Sequence, residues 1–335
     1  MVKETVVGID VGARSLVVAA LRKGKQLQTG TFDNTSSSRK TLLKWLLKKS
    51  GNKGFTVCLE STGVYSFDLA VLLANTEGVD VGIVNPKVSH AFGQAMKSRS
   101  KTDSEDAQVL LEYARRMDFE PWQPPAKHKM ELRSTTRRMN QLKAIVTAEK
   151  NRLHAATSSE EFPDPDTQVS IERTLEFLDK EVARLQAHGQ AIIDQHADLK
   201  AKQERMQTIP GIGALSSMMI LSELVVLSKD MKAKQWVAHA GLAPRHHESG
   251  TISKPARVTK AGNKHLRQAL YMPAIVAIEH QPHIQAWRDK LVRRKKTKLQ
   301  ANVAVMRKML HAIWGMLHYQ QDFDPEKLFP DIKIA

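Results

Sequence analysis

The chain has 335 residues, 41% of them hydrophobic, and a single cysteine, Cys58. That is length and apolar content for two or more cored domains; it excludes wholesale disorder, an intramolecular disulfide and a cysteine-rich zinc site. The formal charge of +16 points to anionic partners, and no apolar run approaches membrane-spanning length.

"TVVGIDVG" (5–12), "SLVVAALR" (15–22) and "QLQTGTFDN" (26–34) read as three short strands in an antiparallel meander. "SSRKTLLKWLLKKS" (37–50) is an amphipathic helix with Leu42, Leu43, Leu46 and Leu47 at helical spacing. A buried-type strand (55–62), a helix (64–76), the strand "VDVGIVNP" (79–86), a helical stretch (87–97) and a helix from 104 to 117 follow. Hairpin strands and then alternating helices and strands predict an α/β domain, a mixed sheet with helices on its faces, over 1–128.

The Pro-rich "FEPWQPPAKH" (119–128) marks a boundary. Over 129–205 two long helices are expected. The first carries Met139, Leu142, Ile145, Val146 and Leu153. The second shows a heptad-like seam of Ile171, Leu175, Leu178, Val182, Leu185, Gly189, Ile192, His196 and Leu199, weakened at Gly189 and His196. The pair is a coiled-coil hairpin, an oligomer interface or both. A mainly α-helical domain, 206–335, restarts at "MQTIPGIGALSSMMILSEL". Its stretch 229–272 reads as loop-rich and basic, and a helix closes it at about 298–319.

The basic excess is uneven. Residues 1–120 hold 17 bases and 13 acids, whereas 241–320 hold 15 bases and only 3 acids. Such a field suits phosphate backbones, and no basic amphipathic helix offers an aromatic face to a membrane. Aromatic content of 5% argues against a base-stacking platform.

Four acids are out of place. The stripe Ala107, Leu110, Leu111, Ala114 and Met117, extended backward by a turn, passes through Asp106 and Asp103. Both therefore face inward, and Glu105 faces solvent. Asp10 ends the apolar strand "VVGID" and Glu60 ends "VCLE". Acids in buried-type positions are paired or metal-bound. Singly, each reads as a turn former or helix cap. Together they form an all-oxygen set suited to Mg²⁺ (or Mn²⁺), which can serve phosphodiester attack. Arg99 and Lys101 just before them would guide a phosphate backbone.

"GIDVG" (8–12), "CLESTGVY" (58–65), "VNPKVSHAF" (84–92), "KTDSEDA" (101–107), "IPGIG" (209–213), "AGLAPRHHESG" (240–250) and "KAGNKHLRQALYMPA" (260–274) occur in one order along the chain. In them the chain resembles the Asp-Glu-Asp-Asp insertion-sequence transposases, related to the Piv-type DNA invertases. The resemblance implies a ribonuclease-H-like (RuvC-like) N-terminal domain, a coiled coil and a C-terminal transposase domain. It implies that Asp10, Glu60, Asp103 and Asp106 bind the metal and that Ser249 is the nucleophile forming a covalent link to DNA. It also implies double-stranded donor and target DNA paired by a noncoding bridge or seeker RNA, and homo-oligomers, dimer to tetramer, with sites shared between protomers. A bacterial cytoplasmic location, on the nucleoid when acting, goes with it. The run "SGTISKPARVTKAG" departs from the family pattern with Pro255; Thr251 and Ser253 rank below Ser249 as hydroxyls.

By the residues alone, "PRHHESGT" reads first as a loop gripping phosphate. "IPGIG" reads either as a helix-hairpin-helix turn, with Gly211 and Gly213 baring N–H groups to phosphate, or as an ordinary Pro-Gly turn. Arg245, Lys254, Arg257, Lys260, Lys264 and Arg267 supply further phosphate contacts. Arg293 and Arg294 do so from "WRDKLVRRKKTK" (287–298), expected to be one solvated helix. Two other enzyme readings share features with this one. A metal-dependent nuclease or Holliday-junction resolvase would use the acids without covalent catalysis. A sugar-kinase-like ATPase would need a second Gly-rich loop, which is missing. A purely structural nucleic-acid binder would leave the four acids unexplained.

Overall fold

The computed structural model describes residues 3–61, 63–96, 102–158, 164–249, 252–259 and 261–333, with the side chains of 64, 245–249 and 252–257 left outside the description. The chain divides into two compact units, 1–124 and 125–335.

The first unit is a five-stranded sheet between helices. Strands β1 (Thr5–Val11), β2 (Ser15–Arg22) and β3 (Gln28–Asp33) form the antiparallel meander. Helix α1 (Ser36–Ser50) follows, capped by Thr35 accepting from the Ser38 N–H. Strand β4 (Phe55–Glu60) pairs parallel with β1, α2 spans Val64–Ala74, and β5 (Val79–Val84) pairs parallel with β4. The sheet order is β3-β2-β1-β4-β5. Helices α3 (Pro86–Ala95) and α4 (Asp103–Arg116) complete the unit.

Alternation along the strands explains the layers. Val7, Ile9 and Val11 join Leu42, Leu46, Leu69 and Leu73 in the core under α1 and α2. Val6 and Cys58 point to the opposite face, against Ala107, Leu110, Leu111 and Ala114 of α4. Gly8 shares that face and is the point of closest approach. A Cβ there would overlap the Ala107 carbonyl oxygen and the Leu111 nitrogen. Backbone thus lies on backbone, which only glycine permits.

Among its described residues the second unit is helical except for one hairpin. Helices α5 (Lys127–Thr157) and α6 (Pro165–Asp194) pack side by side along much of their length, each about 45 Å long at 1.5 Å per residue. Leu132, Met139, Leu142 and Val146 of α5 and Leu175, Leu178, Leu185, Gly189 and Ile192 of α6 are buried. Ile145 is exposed. The seam does not run through one helix as expected. It stops at Asp194, His196 becomes the cap position of α7 (Ala197–Gln207), and Leu199 belongs to that helix. A seven-residue step carried the pattern across a break because both sides bury into the same core.

Helices α8 (Ala214–Leu224) and α9 (Ala233–His239) lead to strands β6 (Pro244–Ser249) and β7 (Ile252–Val258). Then come α10 (Lys264–His280), α11 (Pro282–Arg293), α12 (Lys298–Tyr319) and α13 (Pro325–Leu328). The loop expected over 229–272 is therefore largely a helix, an antiparallel hairpin and the start of another helix. Its strands lack apolar alternation, so pairing rather than side-chain burial defines them. The ladder shifts between Arg245 and His247, leaving 255–256 opposite His246, where Pro255 owes the ladder no N–H. The segment 287–298 is likewise not one helix. It ends α11, turns at Lys295 with φ 63°, and starts α12 behind the Thr297–Gln300 capping box. Among the described residues no helix is long and apolar enough to cross a membrane.

Gly8→Ala is expected to destabilise the first unit by about 3 kcal/mol, the upper end for overpacking, because the obstructing atoms are backbone. Urea unfolding against the parent checks this; an unchanged midpoint would show that α4 does not rest on β1.

Candidate active site

The α4–β1 contact decides where the acids fall. Asp10 is two residues beyond Gly8 on the same face, at the strand end. Ala107 lies over Gly8, so the preceding turn of α4, with Asp103 and Asp106, reaches toward Asp10. Glu60 ends β4 on the same face as Cys58, which pairs with Gly8. Four carboxylates from two strand ends and one helix start are thus coupled. Asp10 records the coupling: burial, then the charges of Asp103, Asp106 and Glu60, push its carboxyl up from 3.8 to about 6.

Two details differ from expectation. Asp103 is exposed, although it is the strongest of the three acids acting on Asp10. Glu105, expected to face solvent, is half-buried, and its Oε2 is buried without a partner among the described residues. The first turn of α4 projects to the strand ends, where the sheet stops covering the stripe. Met117, at the other end, is also exposed. Thr102 caps the helix by accepting from the Glu105 N–H at 3.3 Å. Arg99 and Lys101 lie outside the described residues.

Ser89 was not anticipated. It is buried on α3 and donates to Glu60 Oε2 at 2.7 Å, fixing that carboxylate. The signal was its place three residues after Pro86 in "NPKVS", one helical turn into a helix that starts beside a strand end. Cys58 takes no part. Burial and then Glu60 push its thiol up to about 12, so it stays protonated.

The donor chemistry fits a hard divalent cation: only carboxylate oxygens, with three of them close enough to act on Asp10. Among the described residues no three acidic, histidine or cysteine side chains stand as a ready-made cage. The carboxylates would close on an ion by side-chain rotation.

In the second unit, Ser249 is the last residue of β6, opposite Ile252, and so stands at the hairpin tip. The side chains of Ser249, Arg245, Lys254 and Arg257, and all of Lys260, lie outside the description. The foot of the hairpin is built firmly. Thr259 N–H donates to the Ala243 carbonyl, and Asn263 N–H to that of His239 at 2.7 Å. Asn263 caps α10 and donates through Nδ2 to Glu223 Oε2, also at 2.7 Å. Glu223 is 2% exposed on α8 and is gripped by the Arg137 fork at 2.7 and 2.9 Å, with Arg133 at 3.3 Å. Burial opposes its charge, but the hydrogen bonds from Arg137 and Asn263 and the two guanidinium charges outweigh that and hold its carboxyl below the usual range. A lone Glu inside "SSMMILSEL" was the available signal.

The remaining basic and glycine positions fall into different surroundings. Lys264, Arg293 and Arg294 are exposed. Arg267 is half-buried and donates to the Ala240 carbonyl at 2.8 Å. A Cβ on Gly211 would meet the Pro273 oxygen at 2.6 Å and the Ala277 nitrogen at 2.8 Å, so this glycine, at φ 92°, seats the turn on α10. Gly213 caps α8 with open space around it.

Asp10 titrates near 6 when folded but near 3.8 when unfolded, so the folded chain holds the proton more tightly and loses stability as pH rises through that window. In EDTA at about pH 8, Asp10→Asn should therefore be more stable than the parent by about 1–2 kcal/mol, allowing for solvent screening of a half-exposed group. The gap should vanish near pH 4 and shrink when millimolar Mg²⁺ is added. Urea melts across pH check it, and an Asp10→Asn chain no more stable at high pH would refute the coupling.

Comparison with known proteins finds two matches along the chain, the first of which runs past the boundary between the units and through α5. A transposase model of the IS110 type matches residues 7–159. A second, Transposase IS116/IS110/IS902 family, matches residues 203–288. The pilin gene-inverting protein of Moraxella bovis is 29% identical over 324 residues, covering 96% of this chain and 98% of its own length. Its counterpart in Moraxella lacunata gives the same figures of 29%, 96% and 98%. The transposase for insertion sequence element IS1111A of Coxiella burnetii is 28% identical over 144 residues, 40% of this chain and 39% of its own. The chain thus carries IS110-type and IS116/IS110/IS902-type transposase domains in order, is homologous to the pilin gene-inverting proteins, and is a DNA recombinase of the transposase class.

Proposed function

We propose that the chain is an RNA-guided DNA transposase. In this reading Asp10, Glu60, Asp103 and Asp106 hold Mg²⁺ and Ser249 is the nucleophile. The observation that carries the metal half is the raised Asp10 carboxyl, with three acids acting on it from β4 and α4. The sheet order β3-β2-β1-β4-β5, antiparallel and then parallel, supports a ribonuclease-H-like arrangement of that unit. The side-by-side α5–α6 pair supports the coiled-coil reading.

A bound divalent ion would supply charge stabilisation at the phosphodiester. The chain's own residues do the rest. Ser89 keeps Glu60 turned toward the site, and β1 and α4 hold the acids at one edge of the sheet. The Ser249 hydroxyl attacks phosphorus, forming a serine–phosphate ester. The bond to one strand oxygen breaks, and that oxygen takes the serine proton. A hydroxyl end from another strand then attacks the ester, rejoining DNA and returning the proton to serine. The hairpin tip position of Ser249 favours access to a strand. Exposed Lys264, Arg293 and Arg294, with Arg245, Lys254, Arg257 and Lys260, would neutralise phosphates. The resemblance favours RNA as the source of sequence choice, which the low aromatic content of 5% fits, and it favours a dimer to tetramer as the acting form.

Purified protein with RNA transcribed beside its gene and matching DNA should give covalent protein–DNA adducts with Mg²⁺. Ser249→Ala should abolish adducts, and Asp103→Asn should cut strand cleavage at least about a hundredfold. Ser89→Ala should raise the Mg²⁺ concentration for half-maximal cleavage roughly tenfold, with activity recovered at high Mg²⁺. Adducts from Ser249→Ala would overturn the serine assignment. Cleavage without any adduct in the parent would establish a metal-dependent nuclease or junction resolvase instead.

A further inference from the structure

The second unit holds a cleft of about 270 Å³ at the meeting of α5, α7, the α8–α9 connection, α9 and α12. Lys129, Lys202 and Lys229 line it, together with Trp236, Trp314 and His318. None of these belongs to the serine hairpin or to the basic residues assigned to DNA above. Two of the chain's five tryptophans meet here, so the low aromatic content concealed a local concentration.

The cleft is built for an anion and a flat ring. Lys202 has a carboxylate beside it, Asp198 at 3.3 Å, but no ion pair among the described residues engages Lys129 or Lys229. Burial, and next the charge of Lys202, hold the Lys129 ammonium below its ordinary range; Asp198 partly offsets them, and Lys229 adds a smaller push downward. Three ammoniums around this single carboxylate leave the cleft with an excess of positive charge for an anion to meet. Trp314 is fixed by its Nε1 donating to the Met231 carbonyl at 2.8 Å and by His318 stacked on it, 4.5 Å and 12° apart. Trp236 has a buried Nε1 donor with no partner among the described residues. The volume lies just below the roughly 300–1,000 Å³ of drug-sized sites, which suits a base with its phosphate and nothing longer.

We propose that this cleft binds one unpaired nucleotide of a nucleic-acid strand, its base against Trp236, Trp314 and His318 and its phosphate on Lys129, Lys202 and Lys229. The proposal rests on the chain being a nucleic-acid enzyme. It adds a stacking site away from Ser249 to a surface otherwise suited to backbone contacts. A duplex has no base to offer the cleft, so the site selects single-stranded segments, in RNA or in opened DNA.

Photocrosslinking of the full-length protein tests this without altering its fold. Short single strands carrying 5-iodouridine (RNA) or 5-iododeoxyuridine (DNA), and a duplex of the same DNA, are irradiated with the protein, and adducts are mapped by mass spectrometry. Crosslinks to Trp236, Trp314 or His318 from a single strand, absent with the duplex, are expected; the arm that gives them identifies RNA or DNA as the source. Lys129→Gln/Lys202→Gln/Lys229→Gln should weaken that single strand roughly tenfold while leaving duplex binding intact. Crosslinks confined to other residues, or unchanged affinity in the triple variant, would overturn the proposal while leaving the recombinase reading standing. No binding of any nucleic acid by the parent would remove that reading as well.

Discussion

The seating of α4 on β1 over Gly8 is the constraint on which the acidic site depends. It costs the strand a side chain, and it leaves no slack between the two backbones. The helix start is thereby held at the strand ends, and Asp103 and Asp106 raise the proton affinity of Asp10 across the gap. The arrangement is unfavourable by itself. Burial and three like charges work against ionised Asp10, so the fold stores repulsion where a cation would relieve it.

The second unit solves the opposite problem. Glu223 is almost fully buried, yet it is well supplied: the Arg137 fork and the Asn263 amide donate to it, and the Arg133 charge lies at 3.3 Å. Removing one partner of such a set leaves a buried charge unsatisfied, so it acts as a pin. The pin joins α5, α8 and the first turn of α10, close to where the serine hairpin leaves the helical body. One unit leaves acids short of positive charge, and the other spends positive charge on an acid for structure.

Much of this was legible along the chain. Strands β1, β2, β4 and β5 and helices α1, α4, α5 and α12 follow from periodicity and caps, because each has a continuous buried face. The hairpin β6–β7 was not legible: its residues are charged, and its ladder is specified by pairing across a turn. The α6–α7 break was hidden because the buried positions continue through it. The acids Asp10 and Glu60 stood out as charges ending apolar strands. Ser89 and Glu223 did not, since a serine in a helix and a glutamate in a core acquire meaning only from what lies opposite.

The sequence by itself determined the order of elements, the inward stripe of α4 as far as Ala107, the asymmetry of charge and the identity of four anomalous acids. These are properties of residue type and spacing, which local geometry converts directly into faces. Tertiary structure alone decided that Asp103 sits exposed while Glu105 is half-buried, because the edge of the sheet, not the helix, sets where burial ends. It also brought Trp236 and Trp314 together across 78 residues of chain, a convergence that no local pattern encodes.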